Sequence, residues 1–342
     1  MKFILCIALL YSFCGINNAR AQSALTDKKS FFNDTAVINA TIITNMNKLL
    51  KHDKKALLPA NFITILSDGT SINDSIQLEA RGNMRNGYCY MPPLKIIFNH
   101  QQTATLASLK SLKLVNECKI NDEYDQYLLK EFIIYKIYNL LTDMSFRVRF
   151  INVTFKDSAG KKKSITEHAF LVEDIKQLAK RNECKESKMK NLGAQFTDRR
   201  QMAIVDIFQY MIGNTDWAVS ANHNIKFIER SIEAEKKIFV VPYDFDYSGL
   251  VNTEYAIPSE NIGTENVRER VYRGYKKTMD ELNDVLSIFK NKKDEIYGLI
   301  SNFNLLKPAS KKYMIGYLDD FYKQINKPAD IKFYFIDNAR VQ

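Results

Sequence analysis

The chain has 342 residues, 46% hydrophobic and 26% charged, with 12 glycines and 7 prolines. That balance excludes collagen-like, low-complexity and wholly disordered proteins, because enough apolar surface is present to offset chain entropy. Lys and Arg total 49 against 39 Asp and Glu, a formal charge of +10; the excess suits an anionic partner or an envelope surface and is silent on fold.

The first residues read as an export signal. Lys2 gives a positive start, residues 3–13 form an apolar core, and Ala19-Arg20-Ala21 is a small-x-small cleavage signal before Gln22. The run is shorter than the roughly 20 residues that span a bilayer, and no later segment is long enough. The expectation is an exported chain in the periplasm, at the cell surface or secreted, with no transmembrane segment. Of the 5 cysteines, Cys6 and Cys14 fall in the signal. Cys89 and Cys118, each close to the end of a neighbouring predicted strand, are the expected disulfide in an oxidising compartment, leaving Cys184 single. Scattered histidines and the lack of Cys-x-x-Cys argue against a structural zinc site.

Beyond the signal (1–21) and a polar linker (22–35), residues 36–174 read as a β-rich unit with one long helix. Strands are predicted within 37–50 and 61–66, a turn at Asp68-Gly69, and an alternating strand over 75–81. Arg81-Gly82-Asn83-Met84-Arg85-Asn86-Gly87 is a loop, followed by strands over 94–98 and 110–116. Leu129, Ile133, Ile137 and Leu140 form a helical apolar stripe with Glu131 off it. A hairpin turns at residues 157–160. From 175 to 342 the pattern becomes mainly helical: Asp198 caps a helix ending at Gly213, two short strands cover 225–229 and 237–241, and amphipathic helices fill 278–326.

The chemistry concentrates in Gly213-Asn214-Thr215-Asp216-Trp217, His223-Asn224-Ile225-Lys226 and Pro242-Tyr243-Asp244-Phe245-Asp246. A hairpin joining these loops brings Asp216, Asn224, Asp244 and Asp246 to one end of a sheet. Clustered carboxylates repel unless a cation offsets them, and short oxygen ligands suit Mg²⁺.

The order Asp…Asn…Asp-x-Asp after a β-rich lobe with a strand lysine resembles the kinase superfamily in an atypical form, nearest to the CotH-like (spore-coat protein H) kinase family. Arg81-Gly82-Asn83, the strand over 169–173 and Pro-Tyr-Asp-Phe-Asp at 242–246 carry the likeness. The Pro-Pro-Leu-Lys, Leu-Lys-Leu-Val and Gly-Asn-Thr-Asp-Trp segments also resemble a set of exported bacterial proteins, a broader likeness that implies no function. The kinase resemblance implies an α+β, two-lobed, protein-kinase-like fold with a β-rich N-lobe and a mainly helical C-lobe. It further implies Mg²⁺- and ATP-dependent phosphoryl transfer to a protein or glycan acceptor, or a pseudokinase. Asp216 would be the catalytic carboxylate. Asn224 (or Asn222) and Asp244, with Asp246 in reserve, would hold metal. Lys95 (or Lys113) would meet the phosphates, held by Glu131, and Arg81 and Arg85 would cover them. The sequence departs from the pattern in having no G-x-G-x-x-G loop and Asp-Phe-Asp for Asp-Phe-Gly.

Against these stand plainer readings: Asp216 and Asn214 as helix-terminating residues, Lys95 as a solvated strand lysine, Glu131 as a surface glutamate and His223 as structural. The cluster Arg268, Arg270, Arg273, Lys276 and Lys277 is an anion clamp or, in preference, a solvated helix face. Nucleic acid is not an expected partner, since no reader motif is present. A non-catalytic envelope protein binding a cation or a partner in the same cleft is the competing function.

Overall fold

The computed structural model describes residues 31–51, 57–81, 88–99, 109–232, 235–258 and 262–341. The signal, most of the linker and Arg85 lie outside the described residues.

Seven strands come first: β1 (Ile38–Thr44), β2 (Leu57–Ile65), β3 (Ser71–Ala80), β4 (Leu94–Phe98), β5 (Ser111–Asn116), β6 (Val148–Asp157) and β7 (Ile165–Val172). Their in–out alternation is strict in β2 and β3, so one face of each can be buried. The strands run in the order β1-β2-β3-β4-β5-β7-β6 and close into a barrel. Closure is made by β1 and β6, which pair in parallel from Ile38 opposite Ile151 to Thr44 opposite Asp157. Ile42, Ile76, Leu78, Leu94, Leu114 and Phe155 fill the interior.

Helix α1 (Met46–Leu49) is a single turn. Helix α2 (Asp122–Leu141) is capped by Asn121, whose side chain accepts the N–H groups of Glu123 and Tyr124. Asp122, Glu123 and Asp125 place negative charge at its positive end. It is buried nearly all round, Lys130 and Glu131 included, because the outer barrel face lies on one side and the C-terminal helices on the other. The one-sided stripe read from sequence is half of its contact surface.

Then follow α3 (Ile175–Arg181), β8 (Lys185–Glu186), α4 (Arg199–Ile212), β9 (Ile225–Ile232) and β10 (Glu235–Pro242). Asp198 caps α4 by accepting the Gln201 N–H, and Gly213 ends it at φ 64°. A Cβ at Gly213 would lie 2.0 Å from Tyr317 Oη, so the turn needs glycine for space as well as conformation. β8, β9 and β10 form a small antiparallel sheet. Helices α5 (Met279–Asn291), α6 (Lys293–Ser301), α7 (Pro308–Ile325) and α8 (Pro328–Lys332) complete the chain. No helix among the described residues is long and apolar enough to cross a membrane.

The two-lobed, protein-kinase-like arrangement with a mainly helical C-lobe is overturned. The structure is a closed seven-stranded barrel with a few helices and a second, three-stranded sheet. The physical reasons are two. β1 finds β6 and removes both sheet edges, and one apolar core runs without a break from α2 and the outer barrel residues Phe150 and Phe170 to Phe335. The expected disulfide is present: Cys89 and Cys118 are buried and joined at 2.02 Å. Cys184 is unpaired and half-buried.

Candidate functional site

The β9–β10 hairpin sets two polar loops side by side. Ile225 at the start of β9 pairs with Pro242 at the end of β10, and the Tyr243 N–H donates to the Asn224 carbonyl at 3.0 Å. Asn222, Asn224 and Asp244 have φ of 52°, 50° and 67°, the left-handed region that Asn and Asp tolerate best among residues with a Cβ.

Asp216 is gripped from three directions. His223 Nε2 lies 2.7 Å from its Oδ1, Asn224 Nδ2 donates to its Oδ2 at 2.9 Å and to its carbonyl at 2.8 Å, and its own N–H donates to Asn214 Oδ1 at 3.0 Å. The side chain remains 38% exposed. Arg273 secures the peptides on either side: Nη1 donates to the Thr215 carbonyl at 2.6 Å and to the Trp217 carbonyl, with the guanidinium over the Trp217 ring. The helix-terminating role weighed for Asn214 is real, since its amide bonds Gln209 Oε1 while its Oδ1 orders Asp216.

Asp244 is fixed from the opposite side by α2. Its N–H donates to Tyr135 Oη at 2.9 Å, and the Phe245 N–H donates to Glu131 Oε1 at 3.3 Å. Glu131 and Tyr135 are one helical turn apart and so share a face. Phe245 is fully buried against Tyr135 and Phe208, which anchors the loop with the Asp244 side chain half-buried. Asp246 is buried and accepts the Tyr255 hydroxyl at 3.0 Å.

The barrel lysine that meets this loop is Lys113. Its Nζ lies 4.4 Å from the Tyr243 ring centroid, and Lys226 Nζ of β9 lies 5.8 Å from the same ring. Burial, then the charges of Arg81 and Lys226, push the Lys113 ammonium down to about 8, while Asp244 and Asp174 pull the other way. Lys95 sits beside Lys113 across the β4–β5 ladder, but its Nζ donates to Glu79 at 2.9 Å on a partly exposed strand face. Glu131 is a buried residue that positions the Phe245 peptide. Arg81 Nε donates to the Leu94 carbonyl at 3.1 Å, which aims the guanidinium along β4 and into electrostatic reach of Lys113.

The structure thus gathers Asp216, Asn224, Asp244, Arg81 and Lys113 around the hairpin end and sets Lys95 and Asp246 apart. Sequence reasoning missed Lys226, Tyr243, the His223–Asp216 pair and the Arg273 clamp. Lys226 was findable, since it alternates with buried Ile225 and Phe227 only two residues after Asn224. The basic cluster after residue 267 lies outside any helix; Arg268 and Lys276 are exposed, and the other three residues are turned to protein groups. Arg270 stacks 3.8 Å from the Tyr317 ring centroid and donates to the Met211 and Tyr317 carbonyls, and Lys277 is buried against Asp206 at 2.6 Å.

The donor set fits the groups that the resemblance implies. Asp244 and Asn224 offer hard oxygens of the kind Mg²⁺ takes, and three cations offer a polyphosphate cradle. With its Nδ2 spent on Asp216, Asn224 has Oδ1 left as its ligating atom. No family model matches the chain, and no curated protein matches it.

Proposed function

We propose that the chain is an exported phosphotransferase that uses Mg²⁺ and ATP, working in the periplasm, at the cell surface or outside the cell on a protein or glycan hydroxyl. The observation that carries the reading is the convergence of Lys113 from the barrel and Lys226 from the hairpin over Tyr243, beside Asp244. Two partly buried ammonium groups facing one ring repel each other, and a phosphate between them relieves that repulsion. In this reading Lys113, Lys226 and Arg81 bind phosphate oxygens, and Asp244 with Asn224 Oδ1 holds Mg²⁺. Bound Mg²⁺ would supply charge neutralisation on the phosphates. Asp216, oriented by His223 and Asn224, accepts the hydrogen bond of the acceptor hydroxyl and takes its proton as the oxygen bonds to the γ-phosphorus of ATP, while the bond from that phosphorus to the bridging oxygen breaks and ADP leaves with its electron pair. The disulfide supports the exported location, since such bonds persist in oxidising compartments.

The test is a melting-temperature series on residues 22–342 with Mg²⁺-ATP, combined with a transfer assay. Wild type and Asp216→Ala are expected to melt higher with nucleotide and Asp244→Ala is not; transfer is lost in both variants. A flat melting temperature at millimolar Mg²⁺-ATP refutes the reading. A rise without transfer to any acceptor, or to water, favours the non-catalytic envelope protein that binds its ligand in the same cleft.

A further inference from the structure

A second group of polar side chains lies at the opposite end of α2, on the outer face of β6 and β7. Glu117 follows β5, Asp125 is in the first turn of α2, and His168 is on β7. One ligand atom from each lies within 4.8 Å of the others. His168 Nδ1 is 2.6 Å from Asp125 Oδ1, and the His168 N–H donates to Glu117 Oε1 at 3.3 Å. Together they line an open groove of about 760 Å³.

The hydrogen-bond balance of this groove is one-sided. Glu117, 7% exposed, is the most buried of the three, whereas Glu167 stands opposite Val153 across the β6–β7 ladder and so faces the barrel interior, away from the groove. Asn152, opposite His168 across the ladder, has an Oδ1 that is buried without a donor. The nearby donors are spent: the Asn152 amide goes to Asn39 Oδ1, and the Thr154 and Thr166 hydroxyls bond each other. Glu117 has no ion pair among the described residues. Buried acceptors left idle cost about 1–3 kcal/mol each, and buried carboxylates are normally paired or bound to metal. The missing component is positive.

We propose that Glu117, Asp125 and His168 form a binding site for a divalent transition-metal ion, Zn²⁺ foremost. One imidazole with two carboxylates is the mixed set that Zn²⁺ and its neighbours take, whereas Mg²⁺ and Ca²⁺ favour oxygen alone. Metal–ligand bonds near 2.0–2.2 Å place ligand atoms roughly 3–4 Å apart, so small side-chain movements suffice to close the set. The site differs from the structural zinc motifs sought in the sequence: its ligands come from three separate elements and include no cysteine.

The experiment uses tag-free residues 22–342, stripped with EDTA and titrated by calorimetry with ZnCl₂, then with Co²⁺ followed by its visible absorption. Wild type is expected to take up one equivalent at this site, and Mg²⁺ in excess is not expected to displace it. His168→Gln and Asp125→Asn should each weaken uptake by at least 100-fold. Asp244→Ala and His223→Gln should leave it unchanged, which separates this site from the phosphate cleft. Absence of uptake by wild type overturns the proposal. So does equal uptake by His168→Gln, or, where that variant fails to fold by circular dichroism, equal uptake by Asp125→Asn.

Discussion

Lys113 is held where its charge is costly, and Lys113→Met makes that cost measurable. The fall of its pKa from 10.5 to about 8, at about 1.4 kcal/mol per pH unit, corresponds to a destabilisation of about 3 kcal/mol. Methionine keeps the volume of the stem and loses the ammonium, together with its contact on the Tyr243 ring, worth about 0.5–1 kcal/mol. The net expectation at pH 7 is a gain of about 2 kcal/mol, or about 4 °C in melting temperature for a chain of this size. The pH dependence has a fixed sign. Below pH 8 the lysine is protonated in both folded and unfolded chains and the whole cost is present. Between 8 and 10.5 the unfolded chain binds more protons, so wild type gains stability as pH rises and the gap to the variant closes. The same variant should lose affinity for Mg²⁺-ATP by about 10- to 100-fold, the worth of a charge-assisted hydrogen bond. Differential scanning fluorimetry from pH 6 to 10, with and without nucleotide, reads both effects. A variant that melts lower than wild type at pH 7, or keeps the full nucleotide response, refutes the assignment of Lys113 to an anion.

Lys277→Met strands the Asp206 carboxylate, whose pKa burial already raises against the pull of Lys277; it should cost about 3–5 kcal/mol by urea titration, and adding Asp206→Asn should recover most of it. Cutting the Cys89–Cys118 bridge, which spans 29 residues, with Cys89→Ser plus Cys118→Ser should cost about 3–4 kcal/mol by the chain-entropy argument, and dithiothreitol should lower the wild-type melting temperature similarly. Arg273→Ala removes the donor shared by the Thr215 and Trp217 carbonyls. Phosphoryl transfer should fall at least 10-fold while the Mg²⁺-ATP melting shift persists, because Arg273 holds the Asp216 peptide and touches none of the phosphate-binding groups; equal loss of both readouts would count against that role.

Local structure was largely legible because its causes are local. Asp198 and Gly213 bracket α4 through a side-chain cap and a left-handed turn, and both are properties of single residues. The strands β4 and β5 follow from period-two burial, whereas β6 and β7 each have a run of four consecutive buried residues. What the sequence hid is non-local. Parallel pairing of β1 with β6 joins residues more than a hundred positions apart, and an alternating strand looks the same at a sheet edge as at a barrel seam. The plainer reading of Glu131 as a surface residue fails for a related reason. A helix packed on two sides buries its polar positions as well as its stripe, and only the partner on the second side, here Phe245 and its N–H, explains a glutamate there.

The lysine shows where site reading from sequence runs out. Lys95 and Lys113 are direct cross-strand neighbours on one sheet face, so periodicity gives them equal standing. Their other neighbours separate them. Lys95 also stands opposite Glu79 of β3 and takes its carboxylate, whereas the other partner of Lys113 is Val172 of β7, which offers no charge. One ammonium is satisfied within the sheet, and the other is left to the Tyr243–Asp244 loop that folds against it from 130 residues downstream. A charged strand residue becomes a ligand candidate when the strand beside it gives it nothing to pair with, and that condition depends on strand order, which alternation does not encode. The acidic residues were easier to find because their signal is chemical rather than topological: two carboxylates flanking a buried phenylalanine are a poor packing choice, and the left-handed backbone at Asp244 is the local cost of presenting one of them beside Lys113.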